Sequence, residues 1–230
     1  VKNASIELGQ GMNDIADATY QALSASVETS KAIGFTADAT KLSVAGFTSA
    51  STAVDVLTTA LNAYKLEASE SSKISDMLIT TQNLGKTTVD ELAASVGKVI
   101  PLASAYSVQI DNLLTAYAQL TKNGIATAES GTYLKSMLQE LGDTGSDVAG
   151  VLADSTGKSF KELMEDGNSL GDVLDMIGDA VEGDTVRFNA LWSSQEAGIG
   201  ALSLFNATAE DFNNTLDQIA RLYRSNRNSI

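Results

Sequence analysis

The chain has 230 residues, 43% of them hydrophobic and 19% charged, which is enough to bury a core in one large domain or two small ones. It carries no cysteine and no histidine, which excludes disulfides, thiolate and imidazole metal sites, and catalysis by a Cys nucleophile or a Ser-His-Asp triad. With 29 acidic against 15 basic residues the net charge is −14, a surface that repels phosphate and argues against specific nucleic-acid binding.

Apolar spacing predicts an all-α fold of about eleven helices, a multi-helix bundle of amphipathic helix pairs with a second subdomain of shorter helices. The first helix covers about 4–32 and the second about 37–66. Within the second, Phe47, Ala50, Val54, Leu57, Leu61 and Tyr64 recur at 3-4-3-4-3 spacing and are expected to pack inside the bundle. A third helix, about 69–84, carries Ile74, Met77 and Leu78 on one face. The fourth, about 88–105, opens on the capping box Thr88-Val-Asp-Glu91, whose hydroxyl and carboxylate satisfy early backbone N–H groups. The fifth, about 107–122, lines up Ile110, Leu113, Leu114, Tyr117 and Leu120, and a sixth runs about 126–141. Leu84-Gly85, Asn123-Gly124 and Leu141-Gly142 read as helix ends, where glycine takes the left-handed conformation at low cost.

After residue 142 glycine and aspartate rise, with eight glycines between Gly142 and Gly183. They predict short helices at about 145–154, 159–166, 169–181, 184–205 and 208–226, and a boundary between a long-helix subdomain, 1–142, and a Gly/Asp-rich subdomain, 143–230. Ser159-Phe-Lys-Glu162, Thr208-Ala-Glu-Asp211 and, more weakly, Ser169-Leu-Gly-Asp172 mark starts. In the last helix Phe212, Leu216, Ile219 and Tyr223 form another seam. Arg221, Arg224 and Arg227 follow, either complementing the helix dipole or offering a basic contact to a partner. Val54-Asp-x-Leu57-x-x-Ala60 matches Ile110-Asp-x-Leu113-x-x-Ala116 at an offset of 56 residues, through duplication or through the chance likeness of amphipathic helices.

The search for chemistry is negative. There is no Walker loop and no GxGxxG opening a helix. Asp166-Gly-Asn168 begins like a calcium loop, but Leu170 and Ile177 stand where oxygen ligands are required. Asp172, Asp175 and Asp179 share a helix face and read as solvated acids rather than a catalytic pair. Phe188, Leu191 and Trp192 read as a core stripe. The longest apolar run, Val99–Ala103, is far short of the ~20 residues that span a bilayer. No signal peptide is evident, and a chain starting at Val1 reads as a piece of a longer protein.

Three segments carry a resemblance: Val99-Ile-Pro-Leu-Ala-Ser-Ala-Tyr106, Asp111-Asn-Leu-Leu-Thr-Ala-Tyr-Ala-Gln-Leu120, and Asn123-Gly-Ile-Ala-Thr-Ala-Glu-Ser-Gly-Thr-Tyr-Leu-Lys-Ser-Met-Leu138. With Gly167-x-x-Leu-x-Asp-x-Leu174 and Glu196-Ala-Gly-Ile-Gly-Ala-Leu202, their order is similar to the core region of bacteriophage tail tape-measure proteins. The resemblance covers roughly 30–206. It implies structural work: a ruler in the tail lumen that sets tail length and is expelled before the DNA. It implies as partners the tail tube protein, assembly chaperones and tail tip or baseplate proteins, with self-association, no cofactor and no catalytic residue. A helical module of another kind, such as a secreted effector or receptor fragment, and a wall-degrading enzyme are the rival readings.

Overall fold

The computed structural model describes residues 11–225, with side chains through 221. Among the described residues helix makes up 75%, in fourteen α-helices, and no strand occurs. In chain order they are α1 (Met12–Ser24), α2 (Ala32–Ala45), α3 (Ala50–Tyr64), α4 (Ser71–Leu84), α5 (Val89–Val96), α6 (Ile100–Ala105) and α7 (Ile110–Lys122). There follow α8 (Thr127–Gly142), α9 (Asp147–Thr156), α10 (Phe160–Glu165), α11 (Leu170–Ala180), α12 (Thr185–Ala190), α13 (Gln195–Phe205) and α14 (Ala209–Ser225).

Fourteen helices replace the eleven expected because several long apolar runs turn corners. α1 stops at Ser24, and Ser26 takes a positive φ of 71° before α2 begins. The expected helix over 37–66 breaks at 46–49, where Ser49 caps α3 by accepting the Thr52 N–H at 3.0 Å. That corner is tied to the start of α5: the Thr48 hydroxyl donates to Asp90 at 2.7 Å. A Cβ on Gly46 would stand 2.6 Å from the Val89 Cβ, so only glycine permits the approach. The run 88–105 divides before Pro101, which sits in the first turn of α6, where its missing N–H is no loss. The run 184–205 divides at Ser194, the cap of α13. The boxes at Thr88/Glu91, Ser159/Glu162 and Ser169/Asp172 all form with both arms present.

Around α7 the other elements are arranged. Eleven of its thirteen residues are buried, because α4, α6, α8, α13 and α14 pack on it from all sides. One contiguous apolar cluster runs from Ala18 of α1 to Ile219 of α14 and crosses residue 142 without interruption. α13 lies along α8, and α14 returns over α4 and α7.

Glycines serve two ends. Gly124, Gly157, Gly167 and Gly183 adopt positive φ and terminate helices. Gly85 and Gly142 differ from the left-handed ends expected of them: Gly85 has φ −95°, and Gly142 remains inside α8. Their reason is closeness. A Cβ on Gly85 would stand 2.5 Å from Thr121 Oγ1, and one on Gly142 would fall into the Tyr106 ring. In α11, Gly171 likewise receives Phe212 and Gly178 receives Phe205. Three of the eight glycines between Gly142 and Gly183, which read as helix-breaking composition, are therefore sockets for aromatic rings.

Candidate interaction surface

The packing residues expected from the sequence lie inside, with one exception. Val54, Leu57, Leu61, Leu113, Leu114, Tyr117, Phe212 and Ile219 are buried. Tyr64 and Leu216 are half-buried. Phe47 is 90% exposed, which corrects the expectation of a buried seam residue. The heptad count that placed it inside runs through the corner between α2 and α3, where Phe47 has φ 53° and belongs to neither helix.

The buried polar groups are connected. Ser95 donates its single proton to the Thr127 carbonyl at 3.1 Å, so Tyr117, whose oxygen lies 2.9 Å from Ser95 Oγ, is the donor of that pair. Burial raises the Tyr117 phenol well above its ordinary pKa, and it stays protonated. Tyr64 donates to the Val108 carbonyl at 2.9 Å, and burial, with the charge of Asp111, raises its pKa too. Tyr64 also walls a cleft of about 620 Å³ between α3, α4 and α7, floored by Ile74 and Met77 and rimmed by the Glu70–Lys73 ion pair.

Acidic side chains fasten helices together as well as facing water. Glu140 of α8 accepts the N–H groups of Ser193 and Ser194 at 2.7 and 2.9 Å and the Ser194 hydroxyl at 2.6 Å, fixing the start of α13. Partial burial of its carboxyl opposes ionisation, but those hydrogen bonds more than offset it, and the pKa lies below the ordinary carboxylate value. Asp172 was expected on a solvated stripe. It instead accepts from the Ser169 N–H at 2.8 Å and from Asn213 of α14 at 2.8 Å, while Asp175 and Asp179 are exposed. Among the described residues no group of three acidic, histidine or cysteine side chains is placed to hold a metal ion. No single helix among them is long and apolar enough to cross a membrane. Arg221 is exposed on α14. The Arg224 side chain and Arg227 lie outside the described residues.

Exposed large apolar side chains gather at one end of the sequence. Met12, Tyr20, Leu23, Ile33, Val44 and Phe47 all belong to α1, α2 and the corner after them; elsewhere only Val186 and Ile199 are so exposed among the described residues. α2 is apolar nearly all round, with Lys41 the one fully exposed charge on its length. A helix of that composition normally has both faces covered. No sequence signal separated this face from the core face, because both carry the same residue types.

These features define a class: an all-helical scaffold held by a contiguous core, with an uncovered apolar end and capping acids. The chain belongs to the phage-related minor tail protein family, whose model matches residues 2–191. It is also 35% identical over 138 residues to a probable tape measure protein of Clostridium phage phiCD119. That match covers 57% of this chain and 15% of the relative, so the chain spans a small part of the relative's length. No solved structure matches it.

Proposed function

We propose that this chain is a folded segment of a tail tape-measure protein and that its work is mechanical rather than catalytic. The observation that carries the reading is the family match over residues 2–191, joined to the identity with a probable tape measure protein. On this reading the segment lies in the lumen of the virion tail after assembly in the host cytoplasm. Its partners are the tail tube protein, the assembly chaperones, the tip or baseplate proteins and further copies of itself. An effector or receptor module is the weaker reading, because nothing in either match supports it.

How much length such a segment sets depends on its state. As one continuous helix the described residues would reach about 320 Å, at about 1.5 Å per residue. As a compact body of this size the chain is roughly 45 Å across. The contiguous core and the glycine sockets support the compact value. Each socket glycine costs its own helix about 1 kcal/mol relative to alanine, a cost offset by close packing in the bundle and by nothing in an isolated helix. The test is an in-frame deletion of residues 12–225 from the parent protein, followed by electron microscopy of the tails. Shortening by about 45 Å is expected. Tails of unchanged length would remove the segment from the ruler.

A further inference from the structure

α7 ends in two interlocking caps. The Gly124 N–H donates to the Thr121 carbonyl at 3.0 Å, and the Ile125 N–H donates to the Leu120 carbonyl at 3.1 Å. Gly124 stands at φ 93°, and Ile125 packs half-buried against the core. Asn123 is the last residue before that turn. It is exposed, and its side-chain amide has no hydrogen-bond partner among the described residues. Of the thirteen asparagines in the chain it alone precedes glycine. A following glycine has no Cβ to keep its nitrogen away from the asparagine side chain. At Gly124 the space a Cβ would take is open, with nothing within 4 Å. Asn123 also walls a cleft of about 540 Å³ where the end of α7 meets the end of α13 and the start of α14. The charged residues on that cleft are Lys122 and Asp211, one of each sign. Gln119 lines it too, and ties α7 to α14 by donating to the Asp211 carbonyl at 3.2 Å and to Thr215 at 2.8 Å.

We propose that Asn123 is a self-modification site: it deamidates at a rate set by fraying of the last turn of α7, and its product loosens α14. The Gly124 nitrogen attacks Cγ of Asn123. The N–Cγ bond forms as the Cγ–Nδ2 bond breaks, the Gly124 proton passes to solvent, and Nδ2 takes up a proton and leaves as ammonia. Water then opens the cyclic imide at either carbonyl, giving aspartate or isoaspartate at position 123. Nothing is oxidised or reduced, and water is the one co-reactant. The fold gates the first step. With Asn123 at ψ 3°, the Gly124 nitrogen eclipses the backbone nitrogen of Asn123 and is turned away from Cγ, while its N–H is held by Thr121. Ring closure therefore waits until ψ leaves the helical value, which breaks the caps and is a local opening rather than global unfolding. The product acts on the joint. A carboxylate at position 123 stands at the negative end of the α7 dipole. It also turns the cleft from neutral to acidic beside Asp211, whose carbonyl Gln119 holds. Isoaspartate further lengthens the backbone by one methylene inside the caps. This inference does not rest on the tape-measure reading.

The test ages the 230-residue chain in neutral buffer and follows every asparagine by peptide mass mapping, with released ammonia measured in parallel. Asn123 is expected to convert ahead of the other asparagines. Its rate should be about ten- to a hundredfold below that of the same chain unfolded in guanidinium chloride, the factor two cap hydrogen bonds provide. Ile125→Ala loosens the caps without touching the reacting atoms, and is expected to speed conversion severalfold. The deamidated chain is separated by its extra negative charge on anion exchange and compared with Asn123→Asp. In both, hydrogen exchange of α14 amides is expected to run about two- to fivefold faster than in the parent. Amides of α9, which packs on α8 and α11, should exchange as before. A different asparagine converting first overturns the inference. So does a folded chain that reacts as fast as the unfolded one, or a deamidated chain whose α14 exchanges as the parent's does.

Discussion

Replacing Gly171 by alanine separates local propensity from packing. Gly171 lies inside α11, at a backbone angle any residue can adopt. Helix propensity alone predicts a gain of about 1 kcal/mol. The structure opposes it: the new methyl would stand 2.8 Å from the Cβ of Phe212 and 3.0 Å from its Cγ. Those atoms are not the free end of a flexible chain. Phe212 is fully buried, so relief requires α14 to move back from α11 as a body. Overpacking of that kind costs about 1–3 kcal/mol, and set against the propensity gain of about 1 kcal/mol it leaves a net loss of up to about 2 kcal/mol. The internal control is Gly150 of α9, where a Cβ meets nothing within 4 Å. Gly150→Ala should stabilise by up to about 1 kcal/mol. Urea unfolding of the two variants, followed by circular dichroism, measures both. If Gly171→Ala stabilises as much as Gly150→Ala does, the socket reasoning fails.

Three further outcomes are expected. Leu57→Ala and Leu113→Ala, both at positions with 0% exposure, should each cost about 2–5 kcal/mol in the same assay, whereas Phe47→Ala should change stability by less than about 0.5 kcal/mol. Glu140→Ala should cost about 1.5–3 kcal/mol at neutral pH, the range for hydrogen bonds to a charged group. Because the folded pKa of Glu140 lies below its ordinary value of 4.5, that contribution is complete above this pH and fades as the pH falls through the folded value. The gap between parent and variant should therefore narrow in acid, and a gap independent of pH would show that the carboxylate charge is not what fastens α13. Asp172→Ala should cost about 1 kcal/mol or more through loss of the Ser169 box, whereas Asp175→Ala and Asp179→Ala should move the midpoint little.

The helical class, the caps and most of the core were legible because they depend on residues close together in sequence. A Thr or Ser with Glu or Asp three positions on can form its box from local residues alone, and Thr88, Ser159 and Ser169 did so, whereas Thr208 accepts the Asp211 N–H but gives its own N–H to the Phe205 carbonyl. What failed depends on distant partners. The apolar spacing of α7 assigns no place to its polar residues, yet Asn112 accepts the Leu170 N–H at 3.0 Å and Gln119 donates to Thr215 at 2.8 Å. Those partners lie 58 and 96 residues away, and nothing within α7 announces them. Phe47 failed for a related reason. Its period continues α3 faithfully, and only the Gly46–Val89 approach and the Thr48–Asp90 bond, both made to another helix, reveal that the chain has turned. The uncovered face of α1 and α2 was invisible for the complementary reason, since no local pattern says which of two apolar faces will be left without a neighbour.

The return of α14 over α4 and α7 sets an order in time. During synthesis from the N-terminus α7 is complete about a hundred residues before α14, an interval of about 5–20 s at bacterial rates. Throughout it, the side of α7 that α14 will cover lacks that cover, and Gln119 waits for Thr215. The nascent chain is thus a helical half-bundle with an open apolar trough while the ribosome is still at work. Such a trough is where a holding chaperone would bind and where a neighbouring nascent chain would be mispaired. Truncations that stop before residue 209 should lock the protein in that open form, so the last helix acts as the closing step of folding rather than as an appendage.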